Sequence, residues 1–463
     1  MYALLLLTIL LMWAVVYPLT DYEILSPPSL ILLMFAFATA LSIIGCFFWN
    51  DIQLNIEAYF VISVGCLGIV VAAIIFRRFA QADNEPKKRD KGVCAIERIA
   101  NISSGRWVLL IIFVLVAAAI NIGEMFSLAH EAGYSGASFM DTAQWARGNI
   151  SSLLTSGAGD SDESYSAVSS ALNKVITFCG YAAVVGIAAK IKMKKRRFSG
   201  YFAVTMLLLL ASGFSLLKGG RDTIAHYIVA FLIVLFAFYI LDSDDRKKTS
   251  LKFLKIGIVA IVIALPLFYL ALELVGRTRS VSLFDYISFY FGGGIPSLSY
   301  AIDAFPANYD NAFSGEKTFT QLYALMNKIG LVGPVDAYAD TFIKLNGHSS
   351  NIYTCFYRYY CDFGYIGVFL FSGLATLVFC GCFNALKSSP SVSLKIVTVY
   401  ICSYTADVAR EEFIFSRLLS ASLLWAIIAS IFIAVILLYS RKSALSLSAQ
   451  DKREKSKRDS ILP

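Results

Sequence analysis

The sequence predicts an all-α, polytopic membrane protein, and three observations carry that prediction. Of 463 residues, 58% are hydrophobic and 16% charged, and the mean hydropathy is +0.68. Soluble domains run near ~45–50% apolar and ~25% charged, so a large soluble enzyme is excluded. Aromatic residues make up 14%, with 35 Phe and 25 Tyr, as suits a lipid-facing chain with rings at the interfaces. Apolar runs of about 20 residues, enough to cross a ~30 Å hydrocarbon core, recur along the chain.

The runs fall at 2–19, 28–49, 57–76, 107–128, 171–190, 199–217, 222–241, 256–275, 363–386, 394–409 and 418–440. They amount to about eleven spans (10–12) in one integral membrane domain over 1–463. The first run lacks a basic leader and a small-residue cleavage site, so it reads as a span rather than a signal peptide.

Orientation follows from the basic residues, which are retained on the cytoplasmic side. The formal net charge is +8, from 40 Lys+Arg against 32 Asp+Glu. Most cations fall in four clusters: Arg77 to Arg106 after the third run, Lys190 to Arg197 after the fifth, Arg246 to Lys255 after the seventh, and the basic tail 441–463. An odd number of spans puts all four on one side, with the N-terminus outside and the C-terminus in the cytoplasm. Two long connections then lie outside: 129–170, rich in Ser and Gly, and 276–362, with aromatics, Pro breaks and amphipathic stretches such as 318–329. A connection of the second length is functional or forms a structured cap.

The nine Cys form neither a secreted framework nor a zinc pattern, and no CxxC occurs. Most lie in apolar runs, where Cys packs as a small hydrophobe. Cys355 and Cys361 lie outside, where a disulfide is an open alternative.

The informative cations are the few left outside, several of them at span ends. Lys218-Gly-Gly-Arg221-Asp222 forms the turn between the sixth and seventh runs, Arg277 and Arg279 close the eighth, and Arg410 closes the tenth. One such arginine can simply snorkel to the interface. Several on one face suit an anion, because guanidinium forks bind phosphate oxygens in pairs. Gly219-Gly220 permits close backbone approach, and the helix dipole that starts at Arg221 adds positive charge. Gly292-Gly293-Gly294 lacks the context of a nucleotide loop.

Of the three His, His130 stands at the start of a polar loop and reads as solvent-exposed. His226 follows Asp222 at i,i+4 and reads as a hydrogen-bonded pair with it. His348 lies in a polar outward segment, where an imidazole can take a proton from a hydroxyl. Glu411 and Glu412 follow Arg410 and read as sugar or phosphate contacts or as an interfacial ion pair with it. Tyr353, Tyr357, Tyr359 and Tyr360 read as sugar-stacking rings or an interfacial belt.

The run His348-Ser-Ser-Asn351-Ile-Tyr-Thr354-Cys-Phe-Tyr-Arg358-Tyr-Tyr-Cys-Asp362-Phe-Gly364-Tyr-Ile-Gly367 resembles the signature of bacterial O-antigen polymerases (Wzy-type) and the related O-antigen ligases. That signature has a His, then Asn, then an acidic-x-Gly-x-x-Gly opening a span. Gly-Gly-Arg221 resembles the family's earlier arginine, and Arg277 or Arg279 falls where a second is expected. The resemblance covers about 200–425, with 348–367 its specific part.

The resemblance implies a GT-C-like fold and a metal-independent, inverting glycosyltransferase of the bacterial inner membrane, with no cofactor. Its substrate would be an undecaprenyl-pyrophosphate-linked oligosaccharide, held within membrane lipid. A chain-length regulator is the implied protein partner, and no nucleic acid is expected. His348 would be the catalytic base, and Arg221, Arg277, Arg279 and Arg410 would hold the diphosphate. Lys218, Asn351, Arg358, Asp362 and Glu411 would support them. A ligase using the same donor, a lipid-linked-oligosaccharide flippase and a non-enzymatic assembly scaffold are the alternatives. One-sided cations speak against the flippase.

Overall fold

A computed structural model describes residues 1–49, 53–82, 86–131, 133–134, 141–142, 145, 166–195, 198–218, 221–274, 282–304, 315–333, 343–345 and 348–439. The order is α1 (Tyr2–Leu19), α2 (Pro27–Gly45), α3 (Ile56–Ala82), α4 (Pro86–Ala100), α5 (Ser104–Glu131), α6 (Ala167–Lys192), α7 (Phe198–Leu217), α8 (Arg221–Ile240) and α9 (Arg246–Leu274). There follow α10 (Leu283–Ile287), a π-helical turn (Ser288–Gly292), α11 (Gly294–Ala304), α12 (Thr320–Lys328) and a hairpin of β1 (Ile343–Leu345) and β2 (His348–Ser350). The chain ends in α13 (Phe356–Ser388), α14 (Val392–Ser403), a 3₁₀ turn (Tyr404–Ala406), a second π-helical turn (Ile414–Leu418) and α15 (Ala421–Leu438).

Among the described residues nine helices are long and apolar enough to cross a membrane: α1, α2, α3, α5, α6, α7, α8, α9 and α13. The last two apolar runs instead form the shorter helices Val392–Ala406 and Ser422–Leu438. The chain is an all-α, multi-pass membrane protein. Its lipid-facing character is clearest in α9, where Ile258, Val259, Val262, Ile263 and Leu267 are all exposed, an arrangement that only a hydrocarbon surround makes favourable.

Local chemistry sets several helix ends. Pro27 and Pro28 occupy the first turn of α2, where the missing N–H costs nothing. Ser166, Ser391 and Ser420 each accept a backbone N–H at the starts of α6, α14 and α15. At the end of α13 the fully buried Lys395 donates to the Leu386 carbonyl at 2.6 Å, satisfying an acceptor the helix leaves open.

The polar contacts sort the helix ends into two faces. Arg246 at the start of α9 and Lys387 at the end of α13 both bind Glu23 between α1 and α2, at 3.2 and 3.0 Å. Lys192 pairs with Asp242, and Arg106 donates to Leu437 O at 2.6 Å. These contacts gather the basic connections at one end of the bundle, together with the amphipathic α4, which buries Ile96 and Ile99 and exposes Arg89, Lys91 and Arg98. At the opposite end, Trp49 donates to Asp285 at 2.9 Å, Asn55 to Asp303 at 2.7 Å, and Lys218 to Asn121 at 2.9 Å.

Two exposed cysteines mark the two ends: Cys46 at the close of α2 and Cys94 on α4; the other seven are buried or half-buried. With the basic end cytoplasmic, a membrane-impermeant maleimide applied to sealed right-side-out vesicles should label Cys46 and spare Cys94. Inverted vesicles should show the reverse. Labelling of Cys94 from the outside would overturn the orientation.

The stretch read as a large external loop, 276–362, is partly built into the bundle. Ser42 on α2 donates to Gly292 O at 2.8 Å, and Ile295, Leu298 and Ala301 of α11 are fully buried. An apolar α11 face packs on α2 and α3, so this part is core rather than cap. Amphipathic 318–329 does form a helix, α12. Most of 129–170 and the tail 441–463 lie outside the described residues.

Helix α3 packs extensively on α13 and approaches it closely at Gly68. A Cβ at Gly68 would stand 2.3 Å from Ser372 Oγ and 2.4 Å from Phe369 O, so only glycine permits the approach. Ser372 fills the space by donating to Gly65 O at 3.0 Å. Within α13, Gly364 has φ 61° and ψ −154°, which breaks the helix about two turns after its start. The motif's Asp-Phe-Gly is therefore a kink in this chain.

Candidate functional site

The polar centre of the non-basic end forms where the first turns of α8, the turn Ser288–Gly292 and the segment 404–418 meet. Residues 407–413 follow a short α14 and return toward α15 without a regular helix, which turns Asp407, Arg410 and Glu412 inward. Glu412 is 3% exposed and Arg410 is largely covered.

Asp407 is the hub. His226 Nε2 pairs with its Oδ2, and the Arg410 guanidinium lies 3.4 Å from its Oδ1. Burial pushes the Asp407 carboxyl up, but the charges of His226, Arg410 and Arg417 outweigh it and hold the group at about 2. That is below the unfolded value of ~3.9. The stabilisation from ionised Asp407 is therefore complete above pH ~4 and is lost as pH falls toward the folded value.

The expected Asp222–His226 pair does not form. Asp222 accepts from the Tyr290 hydroxyl at 2.5 Å, while His226 turns to Asp407 with its ring centroid 4.2 Å from that of Tyr404. Tyr404 in turn stacks on Phe413 at 3.6 Å. The i,i+4 reading failed because each side chain finds a partner from a distant segment that local spacing does not register.

Arg410 is cradled rather than snorkelling. Its guanidinium carbon sits 4.3 Å from the Tyr290 ring centroid and 5.7 Å from that of Phe291. Burial opposes the charge, yet Tyr290, Asp407, Asp222 and Glu411 raise the pKa above that of a free arginine. Its Nε is buried with no partner among the described residues. A buried donor left open costs free energy, and an acceptor oxygen would relieve it.

The two glutamates after Arg410 part company, and neither makes the expected ion pair with it. Glu411 takes Arg417 at 2.6 Å, both about half exposed. Glu412 accepts from the Tyr359 hydroxyl at 2.9 Å, Phe415 N at 2.9 Å and Ser416 N at 2.5 Å, anchoring the second π-helical turn. A cavity of about 20 Å³, room for about one water, lies between Glu412, Tyr359, Ser372 and Thr376.

Lys218 stands at the same end of the bundle, bound to Asn121 Oδ1, and burial lowers its ammonium to about 8 despite Glu124. Arg221 is the first residue of α8; its side chain, Gly219-Gly220, and all of Arg277 and Arg279 lie outside the described residues. His348 pairs through its backbone with Leu345 in the hairpin, and its side chain too lies outside the described residues. Asn351 is exposed.

The rest of the 348–367 run is engaged structurally. Arg358 donates to Lys317 O at 3.0 Å and Thr320 Oγ1 at 2.8 Å, and Asp362 accepts from Thr318 N at 2.6 Å. Together they fasten the segment before α12 to α13. Tyr353, Tyr357, Tyr359 and Tyr360 are each 5% exposed or less, so they are core rather than an open sugar platform. Cys355 and Cys361 are both buried and are not joined in a disulfide, which closes that alternative.

Sequence reasoning missed Asp407, Tyr290 and Phe291. The signal for Asp407 was present: an acidic residue inside the apolar run 394–409, three before Arg410. No family model, curated protein or solved structure matches the chain.

Proposed function

We propose that the chain is a GT-C-like glycosyltransferase of the bacterial inner membrane that polymerises undecaprenyl-pyrophosphate-linked oligosaccharides at the periplasmic face. The observation that carries this reading is Arg410, a buried guanidinium cradled by Tyr290 and Phe291, fixed by Asp407 and left with an open Nε donor. It stands near the start of α8, which Arg221 opens. A diphosphate ester supplies the acceptor oxygens and charge that such a site lacks, and the bundle around it supplies lipid contact for a polyprenyl tail.

As the bond from the anomeric carbon to the diphosphate breaks, charge grows on the leaving oxygens. Preorganised arginine donors favour that transition state over the ground state. The growing glycan moves to a hydroxyl of the next lipid-linked unit, and a single in-line displacement inverts the anomeric centre. The motif nominates His348 as proton acceptor.

The 348–367 run is shared in pattern with O-antigen ligases, which favours ligation as the second reading. Deleting the gene in its own host separates them. Loss of a polymerase should collapse the surface-glycan ladder to single repeat units, restored by a plasmid copy. Loss of a ligase should leave long polymer on the lipid carrier. An unchanged ladder would overturn both.

A further inference from the structure

Outside the sequence motif, the structure contains a histidine–carboxylate dyad with the geometry of a proton acceptor. His226 lies on the second turn of α8, 8% exposed, with Nε2 bonded to Asp407 and one side of its ring against Tyr404. An ionised carboxylate only accepts hydrogen bonds, so Nε2 of the neutral ring carries the hydrogen and donates it. The lone pair of that tautomer is then on Nδ1, which has no partner among the described residues. A ring oriented by a carboxylate through one nitrogen, with the other open, is the arrangement that general-base catalysis requires.

The same carboxylate holds Arg410 through its other oxygen. Base and anion-binding donor are thus fixed relative to each other across one side chain. Displacement at a carbon bearing a diphosphate needs both groups: a donor for the departing oxygens and a base for the incoming hydroxyl.

We propose that His226, oriented by Asp407, is the base that takes the proton from the acceptor sugar hydroxyl, in place of the motif's His348. This rests on the glycosyl-transfer reading. The hydroxyl proton passes to Nδ1, its oxygen bonds to the anomeric carbon, and the C–O bond to the diphosphate breaks with its electron pair leaving on the diphosphate. His226 touches the reacting hydroxyl and is catalytic. Asp407 is a positioning residue that sets the tautomer of His226 and the placement of Arg410.

The titratable and charged groups around the dyad are Asp222 on the helix of His226 with Tyr290 bound to it, Tyr404 and Arg410 from the segment after α14, and Arg417 of the second π-helical turn and Tyr181 of α6, which interact electrostatically with Asp407. An acid limb that is lost in His226→Gln and kept in His348→Gln is assigned to the imidazole at position 226.

The test uses the full chain in nanodiscs, with lipid-linked repeat units extracted from the host's deletion strain as substrate. Elongation is followed from pH 5 to 9 for the wild type, His226→Gln, Asp407→Asn and His348→Gln. We expect His226→Gln to lose about 100-fold or more in kcat and to lose the acid limb. Asp407→Asn should fall by a similar factor with KM for the lipid-linked unit within about threefold, and His348→Gln should keep the acid limb. A merely structural Asp407 would lower the amount of folded protein without reshaping the profile of what remains. Should His226→Gln fail to fold, the His348→Gln profile decides: a vanished acid limb overturns the dyad and a retained one supports it. A wild-type profile in His226→Gln overturns the dyad alone, whereas no elongation by the wild type overturns the glycosyl-transfer reading and the dyad with it.

Discussion

Replacing Arg410 with Lys is expected to slow glycan elongation by about 100-fold or more while the protein stays folded. The guanidinium carbon sits 4.3 Å from the Tyr290 ring centroid, one nitrogen reaches Asp407 at 3.4 Å, and Nε remains an open donor. Lysine keeps a cation for Asp407, which protects the fold from a buried unpaired carboxylate. It offers neither a second donor in a fixed direction nor a planar face to stack. Arg417→Lys is the control: it keeps the charge that acts on Asp407, and that side chain is half exposed and pairs with an equally exposed Glu411, so a change within about threefold is expected. Rates from the nanodisc assay, compared at equal folded protein by size exclusion, decide the matter. A wild-type rate in Arg410→Lys would remove Arg410 from the site.

The membrane architecture was legible because the bilayer imposes a single strong rule, length and apolarity together, and that rule acts on the sequence directly. It lost resolution where a span is short. The run 394–409 was long enough by hydropathy only because Ala406, Val408 and Ala409 continue it, yet the helix stops at Ser403 and Asp407 begins the polar turn. The cations were legible for the same reason, as charges at span ends. What each one touches was not, since Arg410 depends on rings at 290 and 291 and on a carboxylate three residues earlier. The reading of His226 failed in the same way: a neighbour at i+4 is always available on a helix, but tertiary packing offered each partner something closer. The motif residues Arg358 and Asp362 show the converse. Their spacing resembles a signature, and in this chain both hold the segment before α12 in place.

Glu411 and Glu412 are adjacent and chemically identical, and the structure predicts opposite consequences for losing them. Removing Glu412 with Ala leaves a buried Tyr359 hydroxyl and the N–H groups of Phe415 and Ser416 without their acceptor. Each such orphan costs on the order of 1–3 kcal/mol. The neighbouring cavity of about 20 Å³ has room for about one water, which can satisfy one of the three, so the loss falls near ~3–5 kcal/mol rather than at the full sum. The second π-helical turn then loses its anchor, and with it the placement of 404–413 on which Asp407 and Arg410 depend. Glu411→Ala removes one partner of a half-exposed pair, worth at most ~1 kcal/mol. Thermal unfolding in detergent should therefore show a large drop in midpoint for Glu412→Ala and almost none for Glu411→Ala. Glu412→Gln should fall between, because one amide oxygen can still accept from a backbone N–H while the amide nitrogen cannot. Equal midpoints for the two alanine variants would mean that Glu412 does not hold this turn. The site's arginine and dyad would then need another support.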